Sequence, residues 1–456
     1  MTQQTDPNMP NQARGLTWQI ALLSGPLILQ NFSQTLMGAV DTYFVSSVST
    51  EALAAVGLAG VIYFAVLLLF RSTATSTVVF VGRAQGEQDD KKVGLMVWRA
   101  LNAIAWLSLL VFILPFLFRL LMGLAAPNDE PLVQSLGIEY LQIRTFEIPF
   151  ILFSSVVWGF LVGRNDSRTP MILAWITVGA NIFLDWLLVA GNLGAPALGV
   201  AGAAYATVIA NGFNAILSGF ILWSRSNRQL YHTEKAHVAS WSEIKNVLVV
   251  GLPMGFGDFI EIASFSIFFA LIARIGTNAL AANQIALQYM SLSFTFGIAI
   301  SMATSSLVSQ YLGAGQPDTA EKVGYRACLF AMGGMGLIGL SYLIAPATLI
   351  GIFSQDEAVI EAGVAILRLV ALYQIFDGAG IVFAGALNGA GDTTFTMIGR
   401  LILAWGGFLP LAWVVIFRFE GGVRGAWFSA LIYLFSLAVV YFLRFRWGKW
   451  KTIQLA

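Results

Sequence analysis

Stretches of about 20 predominantly apolar residues, the length that crosses a bilayer as a helix, recur along the whole chain. No other feature limits the fold as strongly. Lipid offers no hydrogen-bond partner to backbone N–H and C=O groups, so such runs form α-helices. We predict an all-α integral membrane protein with twelve transmembrane helices, which begin near Thr17, Ala52, Val93, Leu132, Thr169, Leu198, Ile244, Asn278, Ala320, Val359, Thr394 and Gly422.

Composition excludes several other classes of protein. Hydrophobic residues make up 57% of the chain and charged residues 11%, whereas soluble domains carry about 25% charged residues. The net charge of +1 provides no basic field for a nucleic acid. Cys328 lies in an apolar stretch and is interpreted as a packed small hydrophobe. His232 and His237 are interpreted as solvated loop residues, so we expect neither a cofactor nor a resident metal.

Lysine and arginine are concentrated in the loops after even-numbered spans, which indicates the cytoplasmic side of the membrane. Lys91, Lys92 and Lys235 are examples, whereas loops after odd-numbered spans hold acidic residues such as Asp129 and Glu357. We therefore expect a multi-pass protein of the inner cell membrane with both termini in the cytoplasm. The expected segments are a tail over 1–16 without signal-peptide character, a first lobe over 17–225, a cytoplasmic linker over 226–243, a second lobe over 244–446 and a tail over 447–456.

The two halves of the chain are related by an internal repeat. Thr50-Glu-Ala-Leu-Ala-Ala55 recurs as Thr277-Asn-Ala-Leu-Ala-Ala282, and Pro26 recurs as Pro253. The offset covers six spans, an even number, so both halves enter the membrane from the same side as parallel repeats. This arrangement predicts a secondary transporter with a substrate cavity between the halves. No G-x-x-x-x-G-K-[ST] phosphate loop is present. Pro26 and Pro253 each remove a backbone donor within a span and are predicted hinges.

Ionisable groups at membrane depth are costly and therefore are candidates for function. In the first half, Asp41 lies deep in span 1, and Asn181 and Asp185 are four residues apart on one face of span 5. The alternative is that these carboxylates reach the outer membrane interface.

The second half carries its own acidic residues. Asp258 is one helical turn before Glu261 in span 7, and Tyr373 and Asp377 share one face of span 10. Two neighbouring carboxylates in apolar surroundings favour the binding of a proton or a cation. The alternative is a hydrogen-bond cluster that packs helices together.

Other residues of the spans suggest architecture or a cavity. Arg144 and Arg368 occupy equivalent repeat positions, and we interpret them as structural, either reaching the interface or pairing with a carboxylate. Phe268, Met290 and Phe376 are candidates to line an apolar cavity suited to aromatic cations.

Several motifs in combination resemble those of the MATE (multidrug and toxic compound extrusion) transporters. Asp41 and the Asn181-x-x-x-Asp185 spacing resemble the first lobe of DinF-like and archaeal members. The resemblance to the second lobe of NorM-type members rests on Phe259-Ile-Glu261, Ala282-Asn-Gln-Ile-Ala-Leu287, Tyr373-Gln-Ile-Phe-Asp377 and Gly385-Ala-Leu-Asn-Gly-Ala-Gly-Asp392.

The resemblance implies a V-shaped pair of lobes that exports drugs or cationic metabolites in exchange for Na⁺ or H⁺. One departure is Met37, because archaeal members carry a tyrosine one turn before the aspartate of span 1. The implied cation-coupling residues are Asp41, Asn181, Asp185, Glu261, Tyr373 and Asp377, and the candidate cavity residues are Gln34, Asn283, Gln284, Phe268, Met290 and Phe376.

Two alternatives to drug export differ from it in the residues that they require. A flippase for lipid-linked precursors shares the broader fold, but it needs cationic residues to hold a pyrophosphate, and this cavity is acidic. A membrane-embedded enzyme needs a motif such as H-E-x-x-H, which is absent, so we predict no enzyme activity. The expected partners are small organic cations or drugs, Na⁺ or H⁺, and membrane lipid, for a monomer. The substrates, the coupling ion and the coupling lobe stay open.

Overall fold

A computed structural model describes residues 15–125 and 130–455. Within these residues the chain is helical, with no β-strand. The all-α prediction is therefore confirmed. Most of the predicted tail over 1–16 and the loop residue Asp129 lie outside the described residues.

The predicted start of each span lies within three residues of the start of a helix in the structure. Local capping explains several of these starts, because a side-chain oxygen satisfies a backbone donor of the first turn. Ser49 accepts from the N–H of Ala52 at 3.0 Å, and Asp356 accepts from that of Ala358 at 2.8 Å. The α-helices are α1 (Leu16–Ser46), α2 (Thr50–Thr75), α3 (Thr77–Gly86), α4 (Asp90–Ser108), α5 (Leu114–Ala125), α6 (Pro131–Thr145), α7 (Ile148–Gly163), α8 (Arg168–Leu188), α9 (Gly199–Leu222), α10 (Arg225–Tyr231), α11 (Trp241–Ala273), α12 (Thr277–Gly313), α13 (Pro317–Ile344), α14 (Pro346–Gly351), α15 (Glu357–Ala390), α16 (Thr393–Leu401), α17 (Leu409–Phe417) and α18 (Gly422–Arg446).

Ten helices among the described residues are long and apolar enough to cross a membrane. An eleventh results if α6 and α7, which are bent by 47° to each other, cross as one span. The remaining predicted span is α1, whose 31 residues measure about 46 Å at the helical rise. Its glutamine, asparagine and serine side chains lower its hydropathy, so α1 is not among these ten helices. The structure thus contains a multi-pass membrane bundle.

The chain divides into two compact units. The first unit contains residues 29–255, and the second contains residues 256–455 together with the described residues up to Ile28. In the first unit, α2 packs on α6 and α7, and α9 packs on α6, α7 and α8. In the second unit, α15 is the central helix and packs on α12, α13 and α18. This central position matters because α15 carries two of the predicted cation-coupling residues, Tyr373 and Asp377.

The unit boundaries differ from the predicted lobes 17–225 and 244–446. The first turns of α1 belong to the second unit, where the Tyr311 hydroxyl donates to Gln19 at 2.9 Å. The first turns of α11 belong to the first unit, where a Cβ at Gly251 would lie 2.9 Å from the Thr73 carbonyl oxygen. Gly251 and Gly255 are four residues apart, a spacing that lets two helix backbones approach closely. Both boundaries follow a predicted hinge proline by two residues, at Ile28 and at Gly255.

The linker over 226–243 packs against α4 instead of extending into solvent. The indole of Trp98 donates to the Thr233 carbonyl at 3.1 Å, and the amide of Asn102 donates to the His237 carbonyl at 2.8 Å. The His237 ring lies 3.1 Å from Glu243. The His237 side chain thus pairs with Glu243 while 37% of it stays exposed, and the backbone of the linker finds partners on α4.

Candidate cation-binding sites

The first unit brings three of the predicted site residues together. Asp41 of α1 lies beside Asp185 and Asn181 of α8, with Thr207 of α9 also adjacent. Asn181 and Asp185 are fully buried. Neither carboxylate oxygen of Asp185 has an aligned hydrogen-bond partner among the described residues. These oxygens keep lone pairs that a proton or a monovalent cation can occupy.

A buried ion pair lies next to this cluster. Arg144 at the end of α6 donates from Nε to Oε1 of Glu147 at 2.7 Å, and from Nη1 to the Tyr140 hydroxyl at 2.6 Å. Its guanidinium stacks 4.4 Å from the ring centroid of Tyr63. Glu147 has no exposed surface, and its second oxygen accepts from Asn211 at 3.1 Å. The positive charge of Arg144 is thus held in place by a carboxylate, an aromatic ring and a hydroxyl.

The negative charges of Asp41 and Asp185 are not balanced within this cluster. The field of Arg144 reaches both Asp41 and Asp185, but its direct ion-pair partner is Glu147. Because Glu147 already balances the guanidinium, Asp41 and Asp185 have no arginine of their own. A mobile cation or a proton is therefore the favourable partner for this pair of carboxylates.

The second unit brings the other acidic residues together. Glu261 of α11 lies near enough to Asp377 of α15 for their charges to interact. Asp377 is 4% exposed, and its Oδ2 has no hydrogen-bond partner among the described residues. Arg400 of α16 pairs with Asp258 and with Glu261, the latter at 3.2 Å between Nε and Oε2. This set also contains a carboxylate that lacks a fixed partner.

Tyr373, the tyrosine predicted for this set, makes its hydrogen bond to a residue outside the set. The Tyr373 hydroxyl donates to the sulfur of Met290 at 3.3 Å, and its ring stacks on Trp427. The tyrosine that shares the surroundings of Glu261 and Asp377 is Tyr433. Its hydroxyl is buried without a hydrogen-bond partner among the described residues. Tyr433 was missed because it lies in a span without any acidic residue.

Three arginines of the predicted spans have different surroundings in the structure. Arg400 was not among the predicted site residues, but it lies within α16 and binds two carboxylates. Arg144 and Arg368 were interpreted as structural residues that either reach the interface or pair with a carboxylate; Arg144 is buried in an ion pair with Glu147, whereas Arg368 is exposed. The sequence did contain one usable signal, since Glu147 follows Arg144 by three residues, a spacing that favours ion pairs on a helix.

The candidate cavity residues fall into two groups. Gln34, Gln284 and Phe376 have exposed side chains. Phe268, Met290 and Asn283 are buried inside the second unit. Phe268 packs in an aromatic cluster with Phe408 and Trp427, whereas both polar atoms of the Asn283 side chain lack a partner among the described residues.

Comparison with known proteins adds independent evidence. The MatE family model matches residues 26–187 and 253–414, and each segment begins at one of the two predicted hinge prolines. A probable multidrug resistance protein NorM of Thermotoga maritima is 29% identical over 435 residues, which cover 94% of this chain and 93% of the relative. A probable NorM of Burkholderia mallei is 29% identical over 440 residues, with 93% and 91% covered. A crystal structure of a MATE protein in the straight conformation aligns with a TM-score of 0.86 at 20% identity, covering 95% of this chain and 96% of that one.

Proposed function

The chain belongs to the MatE family, and from this premise we propose that it is a secondary active exporter of drugs and other small organic, mainly cationic, compounds. The export is driven by antiport against Na⁺ or H⁺. Proteins of this family are transporters and not enzymes. The relatives of similar length carry the name multidrug resistance protein, and the present chain covers more than nine-tenths of each.

The observation that supports antiport most directly is the pair of acidic sets. Each unit holds a buried carboxylate with an oxygen that no described residue satisfies, Asp185 in the first unit and Asp377 in the second. An unpaired carboxylate at membrane depth is expensive unless a cation or proton neutralises it. Alternating neutralisation and release of these groups provides the coupling that an antiporter needs, since each bound state favours a different conformation.

The proposal includes a membrane location and an orientation. The protein lies in the inner cell membrane as a monomer in contact with lipid, and both termini face the cytoplasm. Basic residues of the α4 start and of the linker support this orientation, because Lys and Arg accumulate on the cytoplasmic side. Cargo then leaves toward the outside while Na⁺ or H⁺ enters.

Transport into everted membrane vesicles tests the proposal. Uptake of the fluorescent cation rhodamine 6G is measured with a Na⁺ gradient and a proton gradient imposed separately. We expect uptake with at least one gradient, and its loss in Asp41→Asn, Asp185→Asn, Glu261→Gln or Asp377→Asn identifies the coupling unit. An amide preserves the shape of the side chain, but it carries no negative charge that a cation or a proton could neutralise.

Glu361→Gln is the matched control, because Glu361 is a carboxylate of the same chain with 78% of its side chain exposed. Its uptake should equal that of the unmodified protein. No uptake under either gradient by a well-expressed protein would refute the antiport proposal. Scrambling of a labelled lipid-linked pyrophosphate in the same vesicles would instead support the flippase alternative.

A further inference from the structure

Arg400 is a largely buried arginine that lies within the acidic set of the second unit. Its side chain is 15% exposed, and its guanidinium contacts two carboxylates of α11, those of Asp258 and Glu261. The helices are in close contact there, since a Cβ at Gly257 would lie 3.3 Å from Nη1 of Arg400. A guanidinium remains charged at every physiological pH. Arg400 is therefore a permanent cation built into this acidic set.

Glu261 occupies the middle of the set. On one side it binds Arg400 at 3.2 Å. On the other side its charge acts on Asp377, whose Oδ2 is buried without a partner among the described residues. A cation that neutralises Asp377 therefore approaches the carboxylate that Arg400 already holds. Arg400 and the incoming cation share a ligand and repel each other.

The helix that carries Arg400 has an unusual segment directly after it. Residues Ile402–Phe408 form a π-helix, and the N–H of Leu409 bonds to the carbonyl of Ala404, five residues earlier. A Cβ at Gly406 or Gly407 would meet no atom within 4 Å. Relaxing one wide turn into an α-turn shifts the register by one residue, which rotates the preceding part of the helix by about 100°. Such a shift would carry the Arg400 side chain away from Glu261.

We propose that Arg400 is the resident counter-cation of the acidic set and sets its affinity for other cations. A coupling ion or a cationic cargo binds between Glu261 and Asp377 only as the guanidinium leaves Glu261, and return of the guanidinium releases it. This inference rests on the proposed antiport function. In this scheme Arg400 is a positioning residue that weakens binding enough for turnover.

Opposite effects of two substitutions test the proposal. Arg400→Gln removes the competitor and should tighten cation binding at least ~10-fold, which corresponds to about 1.4 kcal/mol. Asp258→Asn leaves Arg400 with Glu261 as its remaining carboxylate partner in the set and should weaken cation binding. A purely structural ion pair would predict weaker binding in both variants. The measurement is equilibrium binding of Na⁺ and of rhodamine 6G to detergent-purified protein, followed by radiolabel and by fluorescence polarisation.

Two further variants complete the design. Arg368→Gln is the matched control, because Arg368 is an exposed arginine of the same unit without an ion pair among the described residues. Its affinities should not change. The double variant Asp258→Asn/Arg400→Gln removes one carboxylate together with the guanidinium. It should retain the tightened binding, and it replaces Arg400→Gln if that variant alone folds poorly.

The proposal is overturned if neither variant that folds, Arg400→Gln or the double variant, binds either probe more tightly than the unmodified protein. It is supported if either variant tightens binding of one probe while Asp258→Asn weakens it. Vesicle transport separates this result from the proposed function. Normal gradient-driven uptake by the unmodified protein together with unchanged binding in Arg400→Gln refutes only the role of Arg400.

Discussion

Replacing Glu147 with glutamine removes the carboxylate that holds Arg144 in the interior of the first unit. Glu147 has no exposed surface and Arg144 retains 13%, so water cannot solvate the freed guanidinium. The substitution keeps the shape of the side chain and its bond to Asn211 can be rebuilt, but the negative charge is lost. The perturbation is therefore mainly electrostatic.

Its magnitude follows from what remains around Arg144. Removing one partner of a buried ion pair costs about 3–5 kcal/mol, because the other charge is left uncompensated. The hydroxyl of Tyr140 at 2.6 Å and the ring of Tyr63 at 4.4 Å stay in contact with the guanidinium. Since a buried cation–π contact alone contributes about 2 kcal/mol, we expect a net loss near the lower limit, about 3 kcal/mol.

A double-mutant cycle measures this energy. The variants Glu147→Gln, Arg144→Gln and the combined substitution are unfolded reversibly in mixed micelles, and their free energies of unfolding are compared with the unmodified protein. The combined variant has no buried charge in this pair, so it should recover about 2 kcal/mol relative to Glu147→Gln. Glu147→Gln should also reduce cation binding in the first unit, since Arg144 then acts on Asp41 and Asp185 alone.

The exposed pair of Arg424 and Glu361 provides the control for this cycle. Their atoms are 3.1 Å apart, but 70% and 78% of the side chains are exposed, so Glu361→Gln should cost less than about 1 kcal/mol. Strict additivity of the two substitutions at Arg144 and Glu147 would show that the pair is not energetically coupled. The account of how Arg144 is neutralised would then be wrong.

Three other predictions address orientation, the π-helix and the C-terminal segment. In a Cys328→Ser background, Gln355→Cys should react with an impermeant maleimide in intact cells and Lys235→Cys should not; labelling at Lys235 would reverse the orientation. Pro410→Ala supplies an N–H donor at the end of the π-helix, so we expect slower amide hydrogen exchange over 402–408 and slower transport; faster exchange would contradict this. The pKa of Lys451 lies above its usual range because its ammonium donates to Glu321 at 2.6 Å. A raised pKa stabilises the charged, folded form below the unfolded pKa, and this stabilisation is lost as the pH rises through the folded pKa. Limited proteolysis should therefore release the C-terminal segment at strongly alkaline pH, and Lys451→Gln should release it already near neutrality; equal protection of both proteins would refute the contribution of this ion pair.

The amino-acid sequence by itself was enough to predict the transmembrane bundle, its duplication and most of the acidic residues of the two candidate sites. The reason is that these properties are local or periodic. An apolar run of spanning length must be helical in lipid, and residues such as Asn181 and Asp185 share a face wherever the helix lies. A carboxylate at membrane depth is conspicuous in any sequence, so Asp41, Glu261 and Asp377 could be found without knowledge of their neighbours.

Only the tertiary structure decided which charges are already neutralised and where the compact units begin. Arg400 and Glu261 are far apart in the chain, and their contact depends on the packing of α16 against α11. The equivalent arginines Arg144 and Arg368 have similar local sequence positions but opposite exposure. The first turns of α11 join the first unit because Gly251 admits the backbone of α2 at Thr73. Ion pairing and close backbone approach depend on distances between helices, which no local pattern contains.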